Sequence, residues 1–200
     1  MTSKTFPKSR FALLAMFLAS ATLFPLAQAQ PTLATDIKAA EIQTVVNAPK
    51  GGGDRQIKVV DIGTHNVSVG VLRRGKTTPG APVSAINHEF VTEVYYVVSG
   101  SGTLLTGGTV DNIKPAPADS EIVTTAVGPS NTAVFHEAAQ KRQVESGDMV
   151  IIPAGVYHGF TDVTDHIEYV SVRSDPKHVL PRSRWWLCRF RRGGTLIRRW

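Results

Sequence analysis

The chain predicts an all-β fold, an antiparallel sandwich or barrel preceded by one short helix, on three observations. Short runs rich in β-branched and aromatic residues recur between Gly, Pro, Asn and Asp. Val67, Val69 and Val71 alternate with Ser68 and Gly70, which is the period of a strand with two unlike faces. An apolar fraction of 42% against a charged fraction of 19% is enough for a packed core in a chain of 200 residues and argues against disorder, collagen and heptad repeats. Such a length normally makes one domain with short appendages.

The ends differ from the body. Residues 1–29 carry Lys4, Lys8 and Arg10 and no acid, then an apolar run at 11–24, then Pro25 and the triplet Ala27-Gln28-Ala29. That is the order of a secretory signal cleaved before Gln30. A 14-residue run broken by Ser20 and Thr22 is short for a membrane span of about 20 residues. Export to a periplasm or the outside is therefore expected, with no stable span after cleavage. At the other end, 181–200 holds seven arginines, no acid and all three tryptophans. Between them, 30–180 has 12 Lys and Arg against 16 Asp and Glu, a net of −4, so the overall +6 belongs to the ends. Nucleic-acid binding by the body loses its electrostatic support. The lone Cys188 makes no intramolecular disulfide, which leaves stability to packing.

Along the body, a helix is expected over 36–46, with Asp36 as N-cap, Ile37, Ala40 and Val45 on one side, and Gly51-Gly52-Gly53 ending it. Strands are expected at 57–62, 66–72, 92–98, 103–105, 122–126, 149–152 and 166–172. Pro115 and Pro117 make 107–120 a surface loop. The organisation is then a signal at 1–29, an N-terminal segment with a short helix at 30–56, a barrel at 57–175 and a basic, disordered tail at 176–200.

No nucleophile elbow of the Gly-x-Ser-x-Gly kind occurs, and the glycines at 51–53 and 100–102 lack the strand-turn-helix setting of a phosphate loop. Two segments stand out instead. One is His88-Glu-Phe-Val-Thr-Glu93-Val-Tyr-Tyr-Val-Val-Ser-Gly100; the other is Gly147-Asp-Met-Val-Ile-Ile-Pro153-Ala-Gly155-Val-Tyr-His158-Gly-Phe-Thr-Asp162. Together they resemble the two signature motifs of the cupin superfamily. Gly147, Pro153, Gly155 and His158 fall at the family spacing, a coincidence of roughly 10⁻³ by chance, and Asp162 replaces the final Asn. The resemblance covers about residues 57–175 and implies a double-stranded jelly-roll β-barrel, in agreement with the strands read above. It also makes Gly100-Ser101-Gly102 a hairpin turn.

The first motif departs from the family pattern. Counting back from Glu93 places the family's second histidine on His88 and its first on Ile86. Residue by residue, the resemblance leaves His88, Glu93 and His158 as metal ligands, where the family has three imidazoles and a carboxylate. Two neutral imidazoles and a carboxylate suit one divalent ion, Fe(II), Mn(II), Ni(II) or Zn(II), with positions open for water, oxygen or substrate. The plainer account makes His88 and His158 hydrogen-bonded residues around an empty or organic-ligand pocket. Strand period puts Tyr95 and Val97 on the inward face with Glu93, lining the pocket with Ile86, and turns Tyr96 and Tyr157 outward.

Other candidates are weaker. His136 lies in the 46-residue insert between the motifs and becomes a replacement ligand only if that insert folds over the barrel mouth. His65 reads as a turn residue, His166 and His178 as solvated, and Arg73, Arg74 and Lys76 as a solvated edge. The resemblance implies an exported cupin with a mononuclear metal site, acting on a small organic acid or aromatic compound by oxygenase-like or lyase-like chemistry. Isoleucine at 86 keeps two alternatives open: a non-catalytic barrel that binds a small molecule, and a metal-free barrel acting through its surface and a dimer partner. The expected partners are a small molecule and a second copy in a homodimer, not nucleic acid.

Overall fold

Alternating side chains become ten strands in the computed structural model, which describes residues 33–47 and 53–181. The signal expected at 1–29 and the arginine-rich 182–200 lie outside the described residues. In chain order the elements are α1 (Ala39–Val46), β1 (Gly53–Asp61), β2 (Asn66–Gly75), β3 (Ser84–His88), β4 (Thr92–Thr106), β5 (Thr109–Pro115), β6 (Ser130–Glu137), β7 (Gln140–Glu145), β8 (Met149–Ile152), β9 (His158–Thr161) and β10 (His166–Asp175). A π-helical turn covers Val123–Val127. Among the described residues no helix is long and apolar enough to cross a membrane.

The strands form two antiparallel sheets of a jelly roll. The first has the order β1-β2-β10-β4-β8, and the second β7-β4-β9-β3-β6-β5. β4 belongs to both. Its first part, up to Gly100, pairs with β10 and β8, and Ser101–Thr106 pairs with β7 and β9. Gly100, at φ +73°, marks the crossing, and a Cβ there would lie 2.0 Å from the His166 carbonyl oxygen. Only glycine fits such a corner. The two strands expected at 92–98 and 103–105 are thus one, and the hairpin turn expected at 100–102 is a bend within it.

The core lies between the sheets. Leu72, Tyr95, Val97, Ile152, Ile167 and Tyr169 of the first sheet pack on Leu104 and Val144 of the second. Burying each such side chain stabilises the fold by about 1.5–3 kcal/mol. β2 contributes its polar side to this interior. Ser68 and Gly70 stand opposite Arg173 and Ser171 of β10, and a Cβ at Gly70 would meet the Arg173 guanidinium at 2.8 Å. Val69 faces the other way with its cross-strand partner Lys58, whose Nζ donates to the Asp36 carbonyl (2.8 Å) and pairs with Glu41 (3.7 Å). α1 therefore covers the outer face.

Four further differences have local causes. The strand expected at 122–126 is the π turn, because the hydroxyls of Thr124 and Thr125 return to the carbonyls of Ser120 and Glu121 and satisfy a helical backbone. The loop expected at 107–120 contains β5, an exposed edge strand that ends at Pro115, where no ladder N–H is needed. α1 begins at Ala39: the Glu41 carboxylate accepts the Lys38 N–H (2.7 Å), while Asp36 pairs with the Lys38 ammonium (2.6 Å) instead of capping. The fold also continues past 175 into the expected tail, since Leu180 is buried, donates its N–H to Asp175 (2.8 Å) and accepts from Asn66 (3.1 Å) through its carbonyl.

Candidate metal centre

The turn of the second motif is what joins the two motifs. Gly155, at φ +82°, donates its N–H to the His88 carbonyl (2.7 Å). The Asn87 amide donates to the Gly155 carbonyl (3.3 Å), and Thr92 Oγ1 accepts from the Ala154 N–H (3.2 Å). The end of β3, the start of β4 and the start of β9 are thereby drawn to one point. There His88, Glu93 and His158 meet, each at most 4% exposed, with one donor atom apiece all within 4.8 Å of one another. Asp162, at φ +52°, follows β9 in the left-handed region where Asn and Asp are the commonest non-glycine residues, which accounts for Asp where the family has Asn.

The proton positions follow from the partners of the two rings. His158 Nδ1 lies 3.0 Å from the Val156 carbonyl, which only accepts, so Nδ1 carries the hydrogen and Nε2 of the neutral ring is bare. His88 Nδ1 lies 2.9 Å from Ser130 Oγ, whose own proton goes to the Gly128 carbonyl (2.9 Å), so the same tautomer is fixed there. Both Nε2 atoms then point at one carboxylate oxygen, Glu93 Oε2, at 3.2 Å from His88 and 3.3 Å from His158. His158 Nε2 is buried with no hydrogen-bond partner. Three electron-pair donors aimed at a common point repel one another unless a cation lies between them. Bonds of about 2.0–2.1 Å meeting at roughly 105° give donor separations of about 3.2–3.3 Å, the spacing of each imidazole from the carboxylate oxygen, so the residues fit a small transition-metal ion.

Glu93 is held ionised for this arrangement. Its Oε1 accepts from Ser171 Oγ (2.8 Å) and Arg173 Nε (2.9 Å), and its Oε2 accepts from the Tyr95 hydroxyl (2.9 Å). Burial pushes the carboxyl up, but the Arg173 guanidinium outweighs it and holds the carboxyl well below its usual range. Burial, and after it the Glu93 charge, pushes Tyr95 well up, so its hydroxyl remains a donor. Arg173 is itself fully buried and pairs with Asp54, while its Nη1 donates to Gln56 Oε1 (3.1 Å). Burial pushes the Asp54 carboxyl up against the pull of Arg173. Two carboxylates around one guanidinium leave the network with one net negative charge.

Ile86 is the register partner of His158 across β3 and β9, and is half-buried. Tyr95 touches the centre through Glu93 and packs edge-on to His158, with ring centroids 6.0 Å apart. Val97 is in the apolar core. Tyr96 is 44% exposed, and Tyr157, just before β9, is half-buried. His136 does not join the centre: it is exposed and pairs with Asp111 (3.1 Å), because its segment is strand β6, paired between β3 and β5, rather than a lid. The solvated readings of His166 and Arg74 are corrected, whereas Arg73 is exposed as expected. His166 bridges Asp165 (2.6 Å) and Ser99 (3.2 Å), Arg73 pairs with Glu168, and Arg74 donates to the Tyr169 hydroxyl (2.9 Å). Asp54, Ser130, Ser171 and Arg173 were missing from the sequence reading. A signal existed for two of them, since Ile167, Tyr169, Ser171 and Arg173 alternate on one face of β10.

The family comparison agrees with this architecture. Residues 37–187 match the family described as Cupin, and the chain belongs to that family. No curated protein matches. Among solved structures, a Bacillus halodurans protein is 13% identical with a TM-score of 0.44, covering 76% of this chain and 89% of that one. A Klebsiella pneumoniae protein with a double-stranded beta-helix domain is 15% identical, with a TM-score of 0.41 over 72% of this chain and 93% of its own. The DMSP lyase DddQ of Ruegeria pomeroyi is 13% identical, with a TM-score of 0.37 over 62% and 46% respectively.

Proposed function

We propose that this chain is an exported cupin that holds one divalent transition-metal ion through His88, Glu93 and His158 and acts on a small organic acid or aromatic compound. The observation that carries the reading is the bare, buried Nε2 of His158 aimed at a carboxylate oxygen. An Fe, Mn, Ni or Zn ion bound there would supply Lewis-acid polarisation of a substrate oxygen or an activated water. The protein's own part is positional. Val156 and Ser130 fix both tautomers, Arg173 and Ser171 occupy Oε1 so that Oε2 alone faces the imidazoles, and Tyr95 keeps a proton on its oxygen beside them. Titration of chelator-stripped protein with each of the four ions tests the reading. One site lost in His158→Ala supports it; no site for any of them leaves the small-molecule-binding barrel as the better account.

Export rests on the signal-like residues 1–29, and recovery of a chain beginning at Gln30 outside the cytoplasm would support it. Pairing with a second copy is favoured by an uncharged patch on the β8-β4-β10 part of the first sheet's outer face, beside the part that α1 covers. Ile151, Val94 and Val172 form one cross-strand row there, and Met149, Tyr96 and Val170 the next, with Met149 and Ile151 about two-thirds exposed. Contiguous apolar rows of this kind mark contact surfaces, and a sheet face is complementary to itself across a two-fold axis. A concentration-independent monomer in sedimentation would exclude it. With the body at −4, no nucleic acid is expected as a partner.

A further inference from the structure

We infer that the cleft between β7 and β8 is a carboxylate subsite, with Arg142 as the anion-binding residue. The inference deepens the reading above by choosing the acid as the substrate class, while anion binding in the cleft does not itself require the metal.

Strand register shows where Arg142 lies. Gln140, Thr106, His158 and Ile86 are successive cross-strand partners on β7, β4, β9 and β3, so all four share one face of the second sheet. Because His158 faces the interior, so does this row. Arg142 stands in the next row, opposite the fully buried Leu104, and its Nη2 reaches back to donate to Thr106 Oγ1 (2.8 Å) and Gln140 Oε1 (2.7 Å). The guanidinium is thereby held by two neutral oxygens. Arg73 and Arg173 each have a carboxylate partner, whereas Arg142, half-buried, has none among the described residues. Its Nε–H and both Nη1 hydrogens remain as single charge-assisted donors to a carboxylate oxygen.

The cleft beside it has the shape for such a ligand. It is a half-open cleft of about 210 Å³ lined by Thr106, Gln140, Arg142, Ile151, Ile152, Pro153 and Val156. That is below the roughly 300–1,000 Å³ of pockets for drug-sized molecules, and suits an acid of few carbons or one ring. Ile152 is the register partner of Glu93, and the Val156 carbonyl holds His158, so the cleft wall is shared with the candidate metal centre. One cation, beside Thr106 and Gln140 and facing a wall of Ile151, Ile152, Pro153 and Val156, selects a molecule with an apolar body and one negative end.

Benzoate and its neutral analogue benzamide are suitable probes, titrated into the full chain after chelator treatment and followed by ligand-observed NMR. Benzoate should bind at least about tenfold more tightly than benzamide, and Arg142→Met should remove that preference while leaving metal uptake unchanged. Thr106→Val, which frees the guanidinium without removing it, should weaken benzoate by a smaller factor and serves as the second variant if Arg142→Met does not fold. No benzoate binding by the native chain, or equal binding by native and Arg142→Met proteins, would overturn the inference. Failure of the metal reading looks different: a chain that takes up no metal yet binds benzoate through Arg142 loses the centre and keeps the subsite.

Discussion

The Val156 carbonyl lies 3.0 Å from His158 Nδ1 and so determines which nitrogen of that ring is free. Because a carbonyl cannot donate, the ring's hydrogen is fixed on Nδ1 and the lone pair of Nε2 is turned toward Glu93, 3.3 Å away. A contact that lies outside the ligand set therefore sets the chemistry inside it.

Ser130 performs the same task for His88 through its side chain, which makes it open to substitution. Ser130→Ala should leave the fold intact and weaken metal binding by about tenfold or more, as loss of a partner behind a ligand histidine commonly does. Competition against a chromophoric chelator measures this, and unchanged affinity would show that the hydroxyl does not orient the ring.

Ile86 stands in register with His158 on the neighbouring strand. A histidine at that position would point its ring to the same side, and Ile86→His should raise affinity for Zn(II) or Ni(II) by about tenfold or more, one added ligand being worth at least 1.4 kcal/mol. If the affinity stays level, the isoleucine side chain is not adjacent to the ion.

Glu93 should also leave a mark on acid stability. A carboxyl held below its ordinary value in the folded chain stabilises the fold above its unfolded value of about 4.3, and that contribution is lost as pH falls through the folded value. Asp54, pushed up by burial, acts in the opposite sense, its contribution fading as pH rises. In chelator-stripped protein, Glu93→Gln should cost about 3 kcal/mol at pH 7 because it leaves Arg173 short of one partner. That gap should narrow by about 1.4 kcal/mol for each pH unit below about 4. Urea unfolding at pH 7 and pH 3 reads it, and an equal gap at both would show that Glu93 is not depressed.

Gly100→Ala tests the fold itself. A methyl group 2.0 Å from the His166 carbonyl, on a backbone at φ +73°, forces β4 and β10 apart at the point where β4 changes sheets. A loss of about 2–4 kcal/mol in urea unfolding is expected. A change under about 0.5 kcal/mol would mean that the crossing relaxes freely.

What could be read from the sequence was whatever a short repeat or a fixed spacing encodes. The all-β class followed from period-2 runs such as 66–72 and 166–172, and the jelly roll from the spacing of Gly147, Pro153, Gly155 and His158. The crossing of β4 escaped because Gly100 looks like a turn residue locally, and only the His166 carbonyl pressed against it reveals a bend. The π turn at Val123–Val127 escaped because Val and Thr favour strands by propensity, while here threonine hydroxyls cap helical carbonyls. Asp54 and Gln56 fell outside the expected barrel, yet they surround Arg173 from a strand 117 to 119 residues earlier in the chain. Such pairings are set by sheet order, which no local pattern carries.

The most direct test of the central claim is elemental analysis of the chain purified without chelators or a metal-binding tag, beside its His158→Ala variant. About one equivalent of a first-row transition metal in the native chain and almost none in the variant is the expected result for a bare imidazole pair facing a carboxylate. Less than about a tenth of an equivalent in the native chain, even after incubation with Fe(II), Mn(II), Ni(II) and Zn(II), would contradict it.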